Sequence, residues 1–212
     1  CQGFCYNSKK DVFVLACINS ENTRQVIYEI DPRTFDIVGT YKFRDANVLA
    51  HMNTLTYNPD TNLLYTTNAM IDGHRITTID ADTMSIGNTI TIPERVFNLA
   101  YDKKRNQFIS IVPIDATMRR INYYNSQFQL IRSKDIDAHH DDYNNNGAFA
   151  NDGKTIFATL STVITVDKTG NVTKIASFPK NLEIEDMDMR HNIMYAAVNM
   201  NHKVFIYTML NY

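Results

Sequence analysis

The feature that most limits what this chain can become is a hairpin-like unit that returns five times within 212 residues. The segments GFCYNSKKDVFVLA (3–16), TLTYNPDTNLLYTT (54–67) and NLAYDKKRNQFISI (98–111) each read as an alternating strand, a polar turn and a second strand. Weaker copies are GAFANDGKTIFATL (147–160) and DMDMRHNIMYAAV (186–198). Anchored on Tyr6, Tyr57, Tyr101, Ala150 and Met189, successive copies lie 51, 44, 49 and 39 residues apart. That spacing is the length of one four-stranded blade, about 40 to 50 residues. The second half of the unit recurs too, at 26–43, 75–92, 119–136 and 163–178, as strand, Asp- or Asn-bearing turn, strand. Asp31, Asp80 and Asp167 end the third strand, where a short carboxylate can cap free turn N–H groups. Phe35, Met84 and Phe128 reappear four positions past the same point, as turn-packing apolar groups would.

These repeats predict an all-β, five-bladed β-propeller of antiparallel four-stranded blades, at about 1–45, 46–93, 94–137, 138–179 and 180–212 of a single domain. A sandwich also has short strands at regular spacing, but it does not require one hairpin pair to recur in register five times. After KVFIYTML (203–210) no fourth strand follows, so the last blade is expected to be incomplete, its outer strand absent or supplied from outside these residues. Only 7 glycines serve all the turns, which leaves Asn and Asp to take the positive-φ positions.

Charge and hydropathy exclude several functions. With 21 Lys and Arg against 23 Asp and Glu, the chain lacks the basic field that attracts phosphate backbones, so no nucleic-acid partner is expected. No apolar run approaches the roughly 18 residues of a membrane span, so no membrane insertion is expected. Without an initiator Met or a leader-like segment, the numbering reads as an excised or processed domain. A lipidated Cys1 is disfavoured, because strand-like sequence begins at Gln2. If the first hairpin is centred on Lys9, Cys1 lies opposite Cys17; the two are then either bridged or free buried thiols.

In a propeller, the connections from outer strand to next inner strand share one face with the second-to-third-strand loops. That face collects 44–52, 93–95, 135–145, 179–183, 19–23, 69–74, 113–117 and 199–202. Five of the six histidines fall on it: His51, His74, His139, His140 and His202. Asp142 and Tyr143 stand in the same long loop as His139 and His140. Asn53, Asn98, Asn146, Gln2 and the pair Glu185 and Asp186 start the inner strands. Donors and acceptors on rigidly held loops suit recognition of a ligand, and amides beside an exposed aromatic such as Tyr143 suit a sugar ring. The alternative for the amide ring is structural, with amides and trapped water holding the blades in register. Adjacent side chains such as His139 and His140 rarely converge on one ion, so neither metal nor cofactor is expected.

A glycosidase requires two carboxylates from different blades flanking the bond. Here four of five inner strands start with amides, and Glu185 and Asp186, as strand neighbours, are expected to point to opposite faces. There is also no G-x-S-x-G and no phosphate-cradling glycine loop. A binding role is therefore expected rather than catalysis.

The opening QGFCYNSKKDVFVLACIN, then VIYEID and AHMNTLTYNPDTNLLYTTNA, resembles the five-bladed propeller platform of receptor-binding proteins at the tail tip of bacteriophages infecting Gram-positive cocci. The Q-x-F-x-Y start and the H-x-N-x-L-x-Y-N start of the second unit (His51, Asn53, Leu55, Tyr57, Asn58) carry the likeness, which is detailed over about the first 70 residues. The resemblance implies a virion-tail module that binds cell-wall glycopolymer such as teichoic acid, within a homotrimer. The alternatives are a secreted or cell-surface bacterial propeller acting as a polysaccharide hydrolase or lyase, or a protein-interaction scaffold.

Overall fold

The computed structural model describes residues 1–212 apart from 22, 44–45, 50, 69–72, 116, 138–144, 152–153, 160–161, 168, 170, 180–181, 202 and 210–212, with backbone only at 46–47, 145–151, 154–159, 174–175 and 209. Five small antiparallel sheets form the blades of a propeller. The first is Gly3–Asn7 (β1), Val12–Ile18 (β2), Gln25–Ile30 (β3) and Ile37–Phe43 (β4). A short helical turn, Ala46–Leu49 (α1), leads into Leu55–Asn58 (β5), Leu63–Thr67 (β6), Arg75–Asp80 (β7) and Ile86–Thr91 (β8). The third blade is Ala100–Asp102 (β9), Gln107–Pro113 (β10), Met118–Tyr124 (β11) and Leu130–Asp137 (β12). The fourth is Asn145–Asn151 (β13), Lys154–Thr159 (β14), Thr162–Val166 (β15) and Val172–Ser177 (β16). The fifth has three strands among the described residues, Glu183–Arg190 (β17), Ile193–Met200 (β18) and Lys203–Met209 (β19). The inner strands β1, β5, β9, β13 and β17 adjoin one another in a closed ring. The recurring hairpins thus fold as their spacing predicts, with the last blade three-stranded among the described residues.

The first hairpin of each of the first three blades is closed by the same chemistry. Tyr6, Tyr57 and Tyr101 donate their phenol O–H to Asp11, Asn62 and Asn106 at 2.7, 3.0 and 3.0 Å. All three acceptors sit in the left-handed region, with φ of 53°, 56° and 51°, where Asp and Asn are tolerated. Asn7 and Asn58, each just after its tyrosine, accept turn N–H groups on their side-chain carbonyls. The third-to-fourth turns repeat as well. Asp31, Asp80, Asn125 and Asp167 each accept backbone N–H groups from two to four residues ahead.

One expectation about the turns is corrected. Asn and Asp do not hold all the positive-φ positions: Phe35, Met84 and Phe128 adopt φ of 61°, 56° and 59°. A bulky side chain there costs roughly 1–2 kcal/mol. Burial against the preceding blade offsets that cost for Met84 and Phe128, each 4% exposed.

The core lies between the blades. Each interface joins apolar residues of two neighbours, and the fourth strand of one blade packs on the next. Tyr41 and Phe43 lie against the blade 1–2 cluster, Ile90 and Ile92 against the 2–3 cluster, Ile136 within the 3–4 cluster, and Ala176 and Phe178 against the 4–5 cluster. Helix α1, too short for a helical period to show in the sequence, adds Leu49 to the first of these, together with Met52.

The first hairpin pairs Gly3 with Ala16 and Asn7 with Val12. Its centre therefore lies between Lys9 and Lys10, half a residue beyond the centre expected, and that register sets Cys17 opposite Gln2 rather than Cys1. Cys1, Cys5 and Cys17 are free thiols.

Candidate functional site

The face that bears the starts of the inner strands is termed the upper face. Register fixes it: Gly3 at the start of β1 is level with Ala16, and Gln25 at the start of β3 is level with Phe43. The connection β4 to β5 brings His51 and Asn53 there, both half-buried. Burial pushes the His51 imidazole below its usual value, which favours the neutral ring. Its Nδ1 is buried with no hydrogen-bond partner in the structure. The Asn53 N–H donates to the Thr67 carbonyl at 3.1 Å, so its place is set by β6. His74, also half-buried, precedes β7, and its carbonyl accepts the Ile92 N–H at 2.9 Å. These three thus occupy one face of blade 2 and its entry.

Asn98 is fully buried, and its Oδ1 accepts the Ile111 N–H at 3.0 Å within blade 3. That bond matches the structural alternative for the amide ring. Asn146 lies in β13, paired with Ala158. His139, His140, Asp142, Tyr143 and His202 lie outside the described residues.

At the start of β17 the expected alternation fails. The pairing with β18 steps from Ile184–Val198 to Asp186–Ala197, leaving Glu185 as the extra residue of a β-bulge. A bulge re-aims side chains, and here Glu185 and Asp186 both reach toward blade 1 instead of opposite faces. Glu185 accepts a hydrogen bond from Asn199 Nδ2, and Asn199 Oδ1 accepts from the Cys1 amino group at 2.9 Å. Burial, reinforced by Glu183, raises the Glu185 carboxyl to about 8.

Asp186 is the residue whose role the sequence did not reveal. It is 0% exposed and accepts four hydrogen bonds: from the N–H groups of Phe4 (2.9 Å), Leu55 (2.8 Å) and Met187 (2.9 Å), and from the Thr54 hydroxyl (3.1 Å). One carboxyl therefore ties the inner strands of blades 1, 2 and 5 together. Gly3 permits the approach, since a Cβ there would stand 2.8 Å from backbone atoms of Thr54 and Leu55. Burial raises the Asp186 carboxyl well above the usual range, against the pull of its four donors. Two residues further along β17, Asp188 accepts the Tyr6 N–H at 2.7 Å, and burial raises it to about 6. The available signal was the acidic pattern E-D-x-D in an inner strand, where the matching positions of blades 1 to 3 carry no such run. Arg119, buried in blade 3, is likewise structural: its Nη1 donates to the carbonyls of Asp115 and Met118.

Carboxyls with raised values hold protons more tightly folded than unfolded. Their contribution to stability is complete below the unfolded value near pH 4 and is lost as pH rises through the folded values of about 6 for Asp188 and about 8 for Glu185. The exposed turn aspartates Asp80, Asp115 and Asp167 are held low by N–H and hydroxyl donors and act oppositely, below pH 4. The thermal midpoint is therefore expected to peak near pH 5 and fall toward pH 8.5. Glu185→Gln should flatten the fall between pH 6 and 8, and an unchanged profile would contradict the assignment.

No helix among the described residues is long and apolar enough to cross a membrane. No group of three or more metal-ligating side chains stands together among the described residues.

No protein-family model and no curated protein sequence matches the chain. Solved structures do resemble it. The nidogen/laminin complex gives a TM-score of 0.61 at 9% identity, over 93% of this chain and 73% of that one. Hydrazine synthase of Kuenenia stuttgartiensis gives 0.56 at 10%, over 92% and 63%, and U3-55K gives 0.55 at 11%, over 92% and 57%. This chain thus spans less than two thirds of the last two. At such identities the likeness is one of fold: the chain is a β-propeller, similar to all three in architecture.

Proposed function

We propose that the chain is a binding module whose upper face recognises a cell-surface glycan, as part of a bacteriophage tail receptor-binding protein that attaches to cell-wall glycopolymer such as teichoic acid. The observation that carries the preference for binding over catalysis is the Asp186 hub. A two-carboxylate glycosidase needs both groups free to meet substrate, whereas all four of the Asp186 bonds are to neighbouring backbone and a threonine. His51, Asn53 and His74 supply partly exposed polar groups just ahead of β5 and β7, the kind of donors and acceptors that sugar hydroxyls require. The phage and homotrimer components of the reading rest on the resemblance of residues 2–70. The test is a glycan array and a Gram-positive cell-wall pull-down with the whole chain. Saturable binding that weakens at least about tenfold in His51→Ala/Asn53→Ala is expected; absence of saturable binding to any glycan would overturn the reading.

One observation favours a second reading. A buried carboxyl raised to about 8 is protonated at neutral pH and could act as a general acid. Polysaccharide turnover abolished by Glu185→Gln would establish a hydrolase or lyase in place of the binder.

A further inference from the structure

The connection from blade 2 into blade 3, residues 92–99, crosses the upper face, and hydrogen bonds from two directions fix it there. On one side the Asn53 N–H donates to the Thr67 carbonyl at 3.1 Å, and the Thr67 hydroxyl donates to the Phe97 carbonyl at 3.0 Å. On the other, the Val96 N–H donates to the Gly73 carbonyl at 2.6 Å and the Ile92 N–H to the His74 carbonyl at 2.9 Å. The segments that carry His51, Asn53 and His74 thus border one short stretch of chain.

Arg95 in that stretch is exposed, yet its side chain is held. Its guanidinium carbon lies over the half-buried Phe97 ring, 4.9 Å from the centroid, within cation–π range. A Cβ on Gly73 would stand 3.1 Å from Arg95 Nε and 3.7 Å from its Cβ and Cγ, so the arginine stem runs along the bare Gly73 backbone. Among the described residues no carboxylate forms an ion pair with it. Glu94, its neighbour in sequence, buries its Oε2, and after burial itself the charge of Glu94 is what holds the Tyr124 phenol above its ordinary range. That carboxylate acts toward blade 3. Two polar atoms of the bordering segments are uncommitted: His51 Nδ1 and Asn68 Oδ1 are buried without a hydrogen-bond partner. Such atoms are what a hydroxylated ligand, directly or through water, has to satisfy.

We propose that the Arg95 and Phe97 corner of the upper face binds an oxyanion of the glycan, a phosphate or a carboxylate, so that the module selects acidic over neutral saccharides; this rests on the glycan-binding reading above. The donors of a guanidinium lie in its plane as a fork that matches either oxyanion bidentately. Contact with Phe97 and Gly73 orders the side chain beforehand, which reduces the entropy lost when the anion binds.

The probes are fluorescently labelled oligogalacturonate, its methyl ester, which differs only in charge, and a glycerol phosphate oligomer, each titrated into the whole chain by fluorescence anisotropy. An acidic oligomer is expected to bind at least about tenfold more tightly than the methyl ester, and which of the two acidic oligomers does so tells carboxylate from phosphate. Arg95→Ala should remove that preference and leave the affinity for the methyl ester and the thermal midpoint unchanged. Arg95→Lys, which keeps the charge but not the fork, should restore it only in part. Phe97→Leu should weaken the acidic oligomer severalfold while retaining the apolar bulk. Equal affinity for oligogalacturonate and its ester with no tighter binding of the phosphate oligomer, binding confined to neutral saccharides, or an acidic affinity untouched by Arg95→Ala would overturn the oxyanion site and leave the glycan reading standing. No saturable binding of any saccharide would overturn both.

Discussion

Replacing Asp186 by alanine is expected to lower the unfolding free energy by about 4 kcal/mol or more, because it strands three buried N–H groups and a buried hydroxyl at roughly 1–3 kcal/mol each. The loss falls on the ring itself, since the donors belong to β1, to β5 and its approach, and to β17. Asp186→Asn separates geometry from charge. It keeps one carbonyl able to serve the Phe4, Leu55 and Thr54 donors but turns an amide N–H₂ toward the Met187 N–H, for an expected loss of about 2 kcal/mol. Lys9→Ala, which breaks an exposed ion pair with Asp82, should cost less than about 1 kcal/mol and provides the baseline. Urea unfolding of the three variants measures the differences. An Asp186→Ala protein within 1 kcal/mol of the parent would remove the hub from the account of how the ring closes.

The second large effect compares one position of the repeat in two blades. Phe128 is buried between blades 2 and 3, stacked on Phe108 at 4.3 Å and near Tyr65 at 5.6 Å, so Phe128→Ala is expected to cost about 3–5 kcal/mol. Phe35 has the same backbone conformation and touches Phe13 at 6.3 Å, yet its other face is open. Phe35→Ala should cost only about 1 kcal/mol, since little apolar area is returned to water. Both variants relieve similar backbone strain, so the difference isolates the cover that a fourth strand provides. Equal losses, read by thermal and urea unfolding, would mean that the turn conformation rather than interblade packing sets the value of this position.

The repeat was legible because a hairpin has local causes. A Tyr followed by an Asx residue, and a left-handed Asp or Asn five residues after the Tyr, close the loop within a dozen residues, and alternation marks each strand's faces. The same locality made the Asp31, Asp80 and Asp167 turns readable. The Cys1–Cys17 pairing was misplaced for a related reason, since half a residue in a hairpin's centre shifts every partner. Glu185 and Asp186 were misread as facing apart because strand alternation holds only where no bulge intervenes, and the bulge depends on what β18 and blade 1 require of that strand. Of the proposed ligand groups, His51, Asn53 and His74 lie together on the upper face, while Asn98 is committed to its own blade.

From the chain alone came the number of blades and their order, because each follows from contacts between residues close in sequence. Only the tertiary structure decided that residue 186 joins the first, second and fifth blades, and that Phe35 stands open where its counterparts are covered. Both depend on which distant backbone meets which side chain when the ring closes, and no local pattern of apolar and polar residues encodes that meeting.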